Sequence, residues 1–301
     1  KIPFIVISGN HDSAERLSFA SRILRGTGLF LCGDLYHTLE PVVLKDDDGE
    51  VAFAPLPYAE PGKVREALSA DVHTHEEAER VLSDFLLRQI GHAARKVAIA
   101  HEFVAGGSAS DSERPLSIGG TDLISADIFA PYNYTALGHL HGPQQAGGKE
   151  NVRYSGSLLK YSFSEATQKK GVIVGEIDGA GQVKTEFISL SPRHDVRIIK
   201  GFFDDLIKGE SEDFLMAELL DEGPVIDAMA RLRQKYPRMM TIQSHRKMNS
   251  GSGERSFDLM KKVDPLDMFR VFYKEFQDKE FTEEEENYMK ELWEDLRKED
   301  D

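Results

Sequence analysis

Short apolar runs that end in polar clusters recur through the first 190 residues. Residues 2–7 run into Gly9-Asn10-His11-Asp12, residues 97–100 into His101, and residues 134–137 into Gly138-His139-Leu140-His141. Runs of this length bounded by turn residues predict strands. Further strands are expected over 51–55, 152–155, 171–177 and 185–190, with Asp178-Gly179-Ala180-Gly181 turning the last two. Helical spacing alternates with them. Ser13 is placed to cap a helix over 14–24, and Ala78, Val81, Leu82, Phe85 and Leu86 share one face of a helix over 76–94. This alternation predicts an α/β sandwich.

A second pattern starts after Ser191-Pro192. Strands are expected over 196–199, 214–217 and 239–242, around a helix over 224–236 with Pro224 in its first turn. That is a compact α+β unit over residues 191–244. Residues 245–264 begin Ser-, Gly- and charge-rich, as a linker does. Over 265–301, Leu266, Phe269, Phe272, Tyr273 and Phe276 form one helical stripe, and Tyr288, Met289, Leu292, Trp293 and Leu296 a second. Two such helices after a linker either close on each other as a hairpin or dock on a partner, with Phe269, Phe272, Tyr273, Leu292 and Trp293 as the docking residues.

Composition narrows the classes. The chain of 301 residues holds one cysteine, Cys32, so it forms no intrachain disulfide, and its apolar neighbours suit a small core residue. No apolar stretch is long enough to span a bilayer, so no membrane association and a cytoplasmic location are expected. A net charge of −15 argues against broad electrostatic capture of DNA, although residues 275–301, with 13 acidic and 4 basic side chains, contribute −9 of it.

The chemistry lies at the strand ends. Three junctions, each finishing in an imidazole or amide, are placed to converge at one sheet edge, where α/β proteins gather ligands. In an extended segment His139 and His141 project to the same side and reach two adjacent ions. Imidazole nitrogens with an amide suit Mn²⁺, Fe or Zn²⁺.

The order Gly-Asn-His-Asp, a lone His after a strand, then Gly-His-x-His resembles the calcineurin-like metallophosphoesterases, which bind two metal ions. Phe103-Val104-Ala105-Gly106-Gly107, residues 110–116, Gly119-Gly120-Thr121, residues 136–144, Tyr154-Ser155-Gly156-Ser157, Tyr161-Ser162-Phe163-Ser164-Glu165 and Tyr236-Pro237 are similar to the SbcD branch, the nuclease subunits of bacterial SbcCD complexes. The resemblance implies a four-layer metallophosphoesterase sandwich over 1–190, a small α+β capping domain over 191–244 and the C-terminal helical hairpin. It assigns Asn10, His101 and His139 to one metal and His141 to the other, with two divalent ions, Mn²⁺ foremost. His11 is then no ligand but a catalytic residue facing the scissile phosphate, and Asp12 fixes its tautomer; the competing role for the pair is to cap the next helix. Arg114 is either a phosphate contact or an ion pair to Asp111 or Glu113. Ser155, Ser157 and Ser162 lie in a small-residue segment that lets backbone approach the metal edge.

The implied activity is metal-dependent hydrolysis of DNA phosphodiesters, exonuclease in the 3′–5′ direction and endonuclease, with an SbcC-like ATPase in a heterotetramer containing a homodimer of this subunit, for DNA repair, recombination and replication. Other phosphate esters fit the same metal chemistry. In that superfamily an Asp-x-His and a Gly-Asp segment precede Gly-Asn-His-Asp and complete the ligand set. This sequence opens one strand earlier and lacks Met at position 1, so it reads as a fragment missing its first two βα units, inactive alone or serving as an assembly module. Asp71-Val72-His73 mimics the first motif, but it leads into helical spacing and reads as a helix N-terminal turn. Gly33-Asp34 mimics the second and reads as a turn between strands.

Overall fold

The computed structural model describes residues 2–111, 113, 123–221, 223 and 225–244, together with Thr282, Glu285, Tyr288, Met289 and Leu292. Two compact units are present, residues 1–244 and 245–301. The first is α/β.

It begins with β1 (Phe4–Ile7), the short helices α1 (Ala14–Leu17) and α2 (Ser21–Arg25), and β2 (Leu29–Cys32), which pairs parallel with β1. One continuous helix over 14–24 does not form. Ser13 caps α1 as expected, but Ala20 takes φ 60° and breaks the path. The cause is tertiary: the Ser18 hydroxyl accepts the Asp34 amide at 2.9 Å, and a Cβ on Gly33 would lie 2.9 Å from the Ala14 carbonyl oxygen. The Gly33-Asp34 turn therefore seats on α1, and Asp34 accepts the Tyr36 amide. Cys32 is buried, which pushes its thiol up to about 11 and leaves it protonated and inert at neutral pH.

Next come β3 (Val42–Asp46), β4 (Gly49–Leu56), α3 (Pro61–Leu68), α4 (His75–Ile90), β5 (Arg95–His101), β6 (Phe103–Val104), β7 (Leu123–Ile124), β8 (Tyr134–Gly138), β9 (Gln144–Ala146) and β10 (Lys149–Tyr154). Six of these form one sheet in the order β3-β4-β5-β8-β10-β9. Its four central strands run parallel and both edge strands antiparallel. Ala54, Ala98 and Ala100 are buried in β4 and β5, small enough for α4 to lay Ala78, Leu82 and Leu86 into the same core. Each of those leucines contributes about 1.5–3 kcal/mol by leaving water, before ordering costs.

Residues 71–74 do form a helix N-terminal turn, with Thr74 as the cap. Thr74 and Glu77 make a reciprocal capping box, while Asp71 pairs with the His73 ring at 3.1 Å instead of capping. The helix stops at Ile90, short of the expected 94, because Gly91 takes φ 62°.

The hairpin β11 (Gly171–Ile177) and β12 (Val183–Ser189) follows, turned at 178–182 as the sequence indicates. Its tip is clipped to the sheet. Arg95, 1% exposed, makes a bidentate pair with Asp46 and reaches the Ile177 carbonyl at 3.4 Å, and Asn133 donates to the Gly181 carbonyl at 2.9 Å.

A three-stranded parallel sheet, β13 (Val196–Gly201), β14 (Phe214–Leu219) and β15 (Met239–Ser244), carries α5 (Phe203–Leu206) and α6 (Ala228–Arg233). Phe203, Leu215, Leu232 and Tyr236 anchor its own core. The helix expected over 224–236 is reduced to α6, since Asp227 takes φ 52° and cannot continue a helix backward. In the second unit Thr282 and Glu285 exchange the hydrogen bonds of a capping box. The other proposed docking residues, Phe269, Phe272, Tyr273 and Trp293, fall outside the described residues. No helix among the described residues is long and apolar enough to cross a membrane.

Candidate metal centre

Parallel pairing of β5 and β8 aligns His101 with Gly138, so both strands end at one level. His139 and His141 follow immediately. The turn after β1 reaches the same corner: the Asp12 carboxylate accepts the Gly9 amide at 2.8 Å, the Asp12 amide donates to the Gly9 carbonyl at 3.1 Å, and Asn10 and His11 are held at the apex. Asp12 thus closes the turn back onto Gly9.

Asn10 and His101 meet directly, with 2.9 Å between Asn10 Oδ1 and His101 Nε2. The His101 and His139 rings stand edge-on at 5.4 Å between centroids. Tyr58 closes on His101 at 6.4 Å, and Phe103 on His139 at 5.8 Å. His139 holds φ 104°, a conformation that a residue with a Cβ enters at a cost of about 1–3 kcal/mol. Among the described residues no three His, Cys, Asp or Glu side chains gather at metal-binding distance. The corner therefore supplies an amide and two imidazoles.

Burial, reinforced by the neighbouring His139, lowers the His101 pKa to about 4. Its ring is neutral at pH 7 and keeps a lone pair, which is what a metal requires. Two donor atoms bound to one ion at right angles with bonds of about 2.1 Å lie about 3 Å apart. The Asn10–His101 separation of 2.9 Å fits that spacing, and the same pair forms a hydrogen bond when no ion intervenes. Residues and group are compatible.

His141 is built differently. Its amide donates to Glu113 at 2.6 Å, its carbonyl accepts from Ser157 N at 3.1 Å, and its Nδ1 lies 2.9 Å from Glu165 Oε1. Gly156, at φ 77°, allows that approach, since a Cβ there would lie 2.6 Å from the His141 carbonyl oxygen. Glu165 in turn pairs with Lys170 at 2.6 Å. Glu165 ends a segment that carries the resemblance but has no role assigned by it, and Lys170 stands outside every such segment; a carboxylate that ends a Ser-Phe-Ser-Glu segment, 24 residues after a histidine, carries no periodic signal. Arg114 lies outside the described residues. Ser162 bonds Ser164 at 2.6 Å and Ser155 reaches the Gly156 carbonyl at 3.5 Å, both local contacts.

The segment after His101 is anchored by Tyr154. Its buried hydroxyl accepts the Val104 amide at 2.8 Å and donates to the Glu102 carbonyl at 2.7 Å. Tyr154→Phe is expected to cost about 1–3 kcal/mol, the price of leaving buried backbone groups unserved. A lowered urea midpoint with unchanged slope would record it, and an unchanged midpoint would count against this anchor.

Residues 192–276 match the family model SbcD_C, the type 5 capsule protein repressor C-terminal domain. The match opens just before β13, so the three-stranded sheet with α5 and α6 falls inside it. The chain thus carries an SbcD-type C-terminal domain over residues 192–276, following a region whose strand ends bring Asn10, His101 and His139 to one corner.

Proposed function

We propose that this chain is a metal-dependent DNA nuclease subunit of SbcD type, with a metallophosphoesterase sandwich ahead of its C-terminal domain. It hydrolyses DNA phosphodiesters together with an SbcC-like ATPase in the processing of DNA ends and hairpins. The observation that carries the reading is the meeting of Asn10, His101 and His139 at aligned strand ends, in a chain with an SbcD C-terminal match.

Asn10, His101 and His139 would hold one divalent ion and His141 the other, with Mn²⁺ the preferred metal. Two such ions, when bound, supply an activated water and neutralise charge on the phosphate. The chain's own residues do the rest. His11, exposed at the apex of the first turn, orients the phosphate or delivers a proton to the leaving oxygen. Tyr58 and Phe103 wall the corner and limit water around the ligand rings. With a net charge of −15, affinity for DNA comes from this site and from the partner rather than from the general surface.

In a version of the chain that also carries the Asp-x-His and Gly-Asp segments of the superfamily, His11→Ala is expected to retain Mn²⁺ and lose about 10²–10⁴ of the cleavage rate on a DNA duplex, whereas His139→Ala loses metal and cleavage together. Mn²⁺ titration beside a gel-based cleavage assay separates the two. Equal metal loss in both variants would refute the role given to His11.

A further inference from the structure

Glu165 has a fully buried side chain, and Lys170 is 3% exposed. The Lys170 ammonium is surrounded by Glu165 Oε2 at 2.6 Å, the His141 carbonyl at 2.7 Å, Gln168 Oε1 at 2.8 Å and Ser157 Oγ at 2.9 Å. The second carboxylate oxygen, Oε1, faces His141 Nδ1 at 2.9 Å. Burying an ion pair is a poor way to gain stability, since apolar residues of the same volume serve as well or better. What the pair does achieve is geometric. A carboxylate whose one oxygen is claimed by a lysine cannot rotate away, so its other oxygen presents a fixed acceptor to the imidazole.

We infer that Glu165, locked by Lys170, is a positioning residue that fixes the tautomer and orientation of His141. An ionised carboxylate only accepts hydrogen bonds, so Nδ1 carries the proton, and the lone pair of the neutral ring falls on Nε2. Nε2 is then the atom offered to a metal ion, and a hydrogen-bonded carboxylate behind the ring makes it a stronger donor. The inference rests on the reading of His141 as a metal ligand. It also separates the histidines of the site by construction: His101 is steered by burial and an amide, His141 by a buried charge.

Glu165→Gln tests it, because the replacement is isosteric and has a specific consequence. Lys170 still demands an oxygen, so the amide oxygen turns to Lys170 and the amide NH₂ turns to His141. Nδ1 must then accept, and the ring proton moves to Nε2. Nitrogen NMR of ¹⁵N-histidine-labelled, metal-free protein reads this directly: wild type is expected to show the Nδ1–H form of His141, and Glu165→Gln the Nε2–H form. With Mn²⁺ alone as the probe, the variant is expected to lose about 10- to 100-fold in affinity, the usual effect of disturbing an outer carboxylate. An Nε2–H form in wild type, or an unchanged tautomer and Mn²⁺ affinity in Glu165→Gln, overturns the inference.

If Glu165→Gln fails to fold, the paired replacement Glu165→Leu with Lys170→Met removes both charges at similar volume. It is expected to show mixed tautomers and the same affinity loss, and wild-type behaviour there overturns the inference equally. His141→Ala distinguishes the two levels. Loss of Mn²⁺ in His141→Ala with none in the Glu165 variants defeats positioning alone, whereas full Mn²⁺ binding by His141→Ala defeats the ligand reading beneath it.

Discussion

Gly9→Ala is expected to weaken divalent-metal binding at the His101 corner by about 100-fold, and Gly138→Ala to weaken it less. A Cβ on Gly9 would stand 2.6 Å from Cε1, 2.8 Å from Nδ1 and 2.9 Å from Nε2 of His101, and one on Gly138 would stand 2.9 Å from Nδ1. The imidazole is held between two glycines, with Asn10 at its Nε2 edge, and has no room to retreat. Neither glycine has positive φ, so alanine is acceptable to the backbone at both positions and the effect is purely one of contact. Displacing the ring parts Nε2 from Asn10 Oδ1 and breaks the shared donor pair, a loss of about 100-fold in Mn²⁺ affinity. Isothermal titration with Mn²⁺ reads it, with circular dichroism to establish that the chain still folds. Wild-type affinity in a folded Gly9→Ala protein would show that His101 needs no such cradle.

The second large effect concerns Glu79, a carboxylate on α4 that is 1% exposed and whose Oε1 has no hydrogen-bond partner among the described residues. Burial pushes its pKa up to about 8 from an ordinary 4.5. A carboxyl whose folded pKa lies above its unfolded one holds its proton more tightly in the folded chain. Its favourable contribution is complete below pH 4.5 and is lost as pH rises through about 8. In the middle of that window one proton is released per molecule unfolded, so folding weakens by about tenfold per pH unit, or about 1.4 kcal/mol. Glu79→Gln keeps the neutral shape at every pH and is expected to flatten this descent, leaving the variant more stable than wild type above pH 8. Urea midpoints at intervals from pH 5 to pH 9 provide the comparison. Parallel curves for the two proteins would place the proton elsewhere.

Element order is largely readable in the sequence, because the apolar stretches of β4 and β5 and the shorter run of β8 stand out between turn residues. The run ending in Ala100 and the run ending in Leu137 locate β5 and β8 to within a residue or two, and with them the positions of His101 and His139. The edge strand β3 was missed. It is only half covered, and its hairpin signal, Asp47-Asp48-Gly49, resembles any polar loop. Helix limits went wrong where a distant segment intervened, as at Ala20, where the 33–34 turn presses on α1. Within the site, the residues at strand ends were legible, since strand termini predict convergence. Glu165 was not, because its contact to His141 depends on how two loops fold back over each other, and spacing along the chain does not encode that.

The β11–β12 hairpin joins opposite ends of the sheet. Its tip is bonded to Arg95 and Asn133, beside the starts of β5 and β8, while its base adjoins Lys170, which is bonded to His141 beyond the end of β8. Seven residues per strand give a span of about 24 Å. The chain leaves β12 directly toward the SbcD-type domain. A tug on that domain is therefore delivered along a stiff rod fastened at both ends, reaching His141 at one end and the foot of the sheet at the other. The hairpin thus ties the point where the chain enters the SbcD-type domain both to the rim where His141 sits and to the starts of β5 and β8.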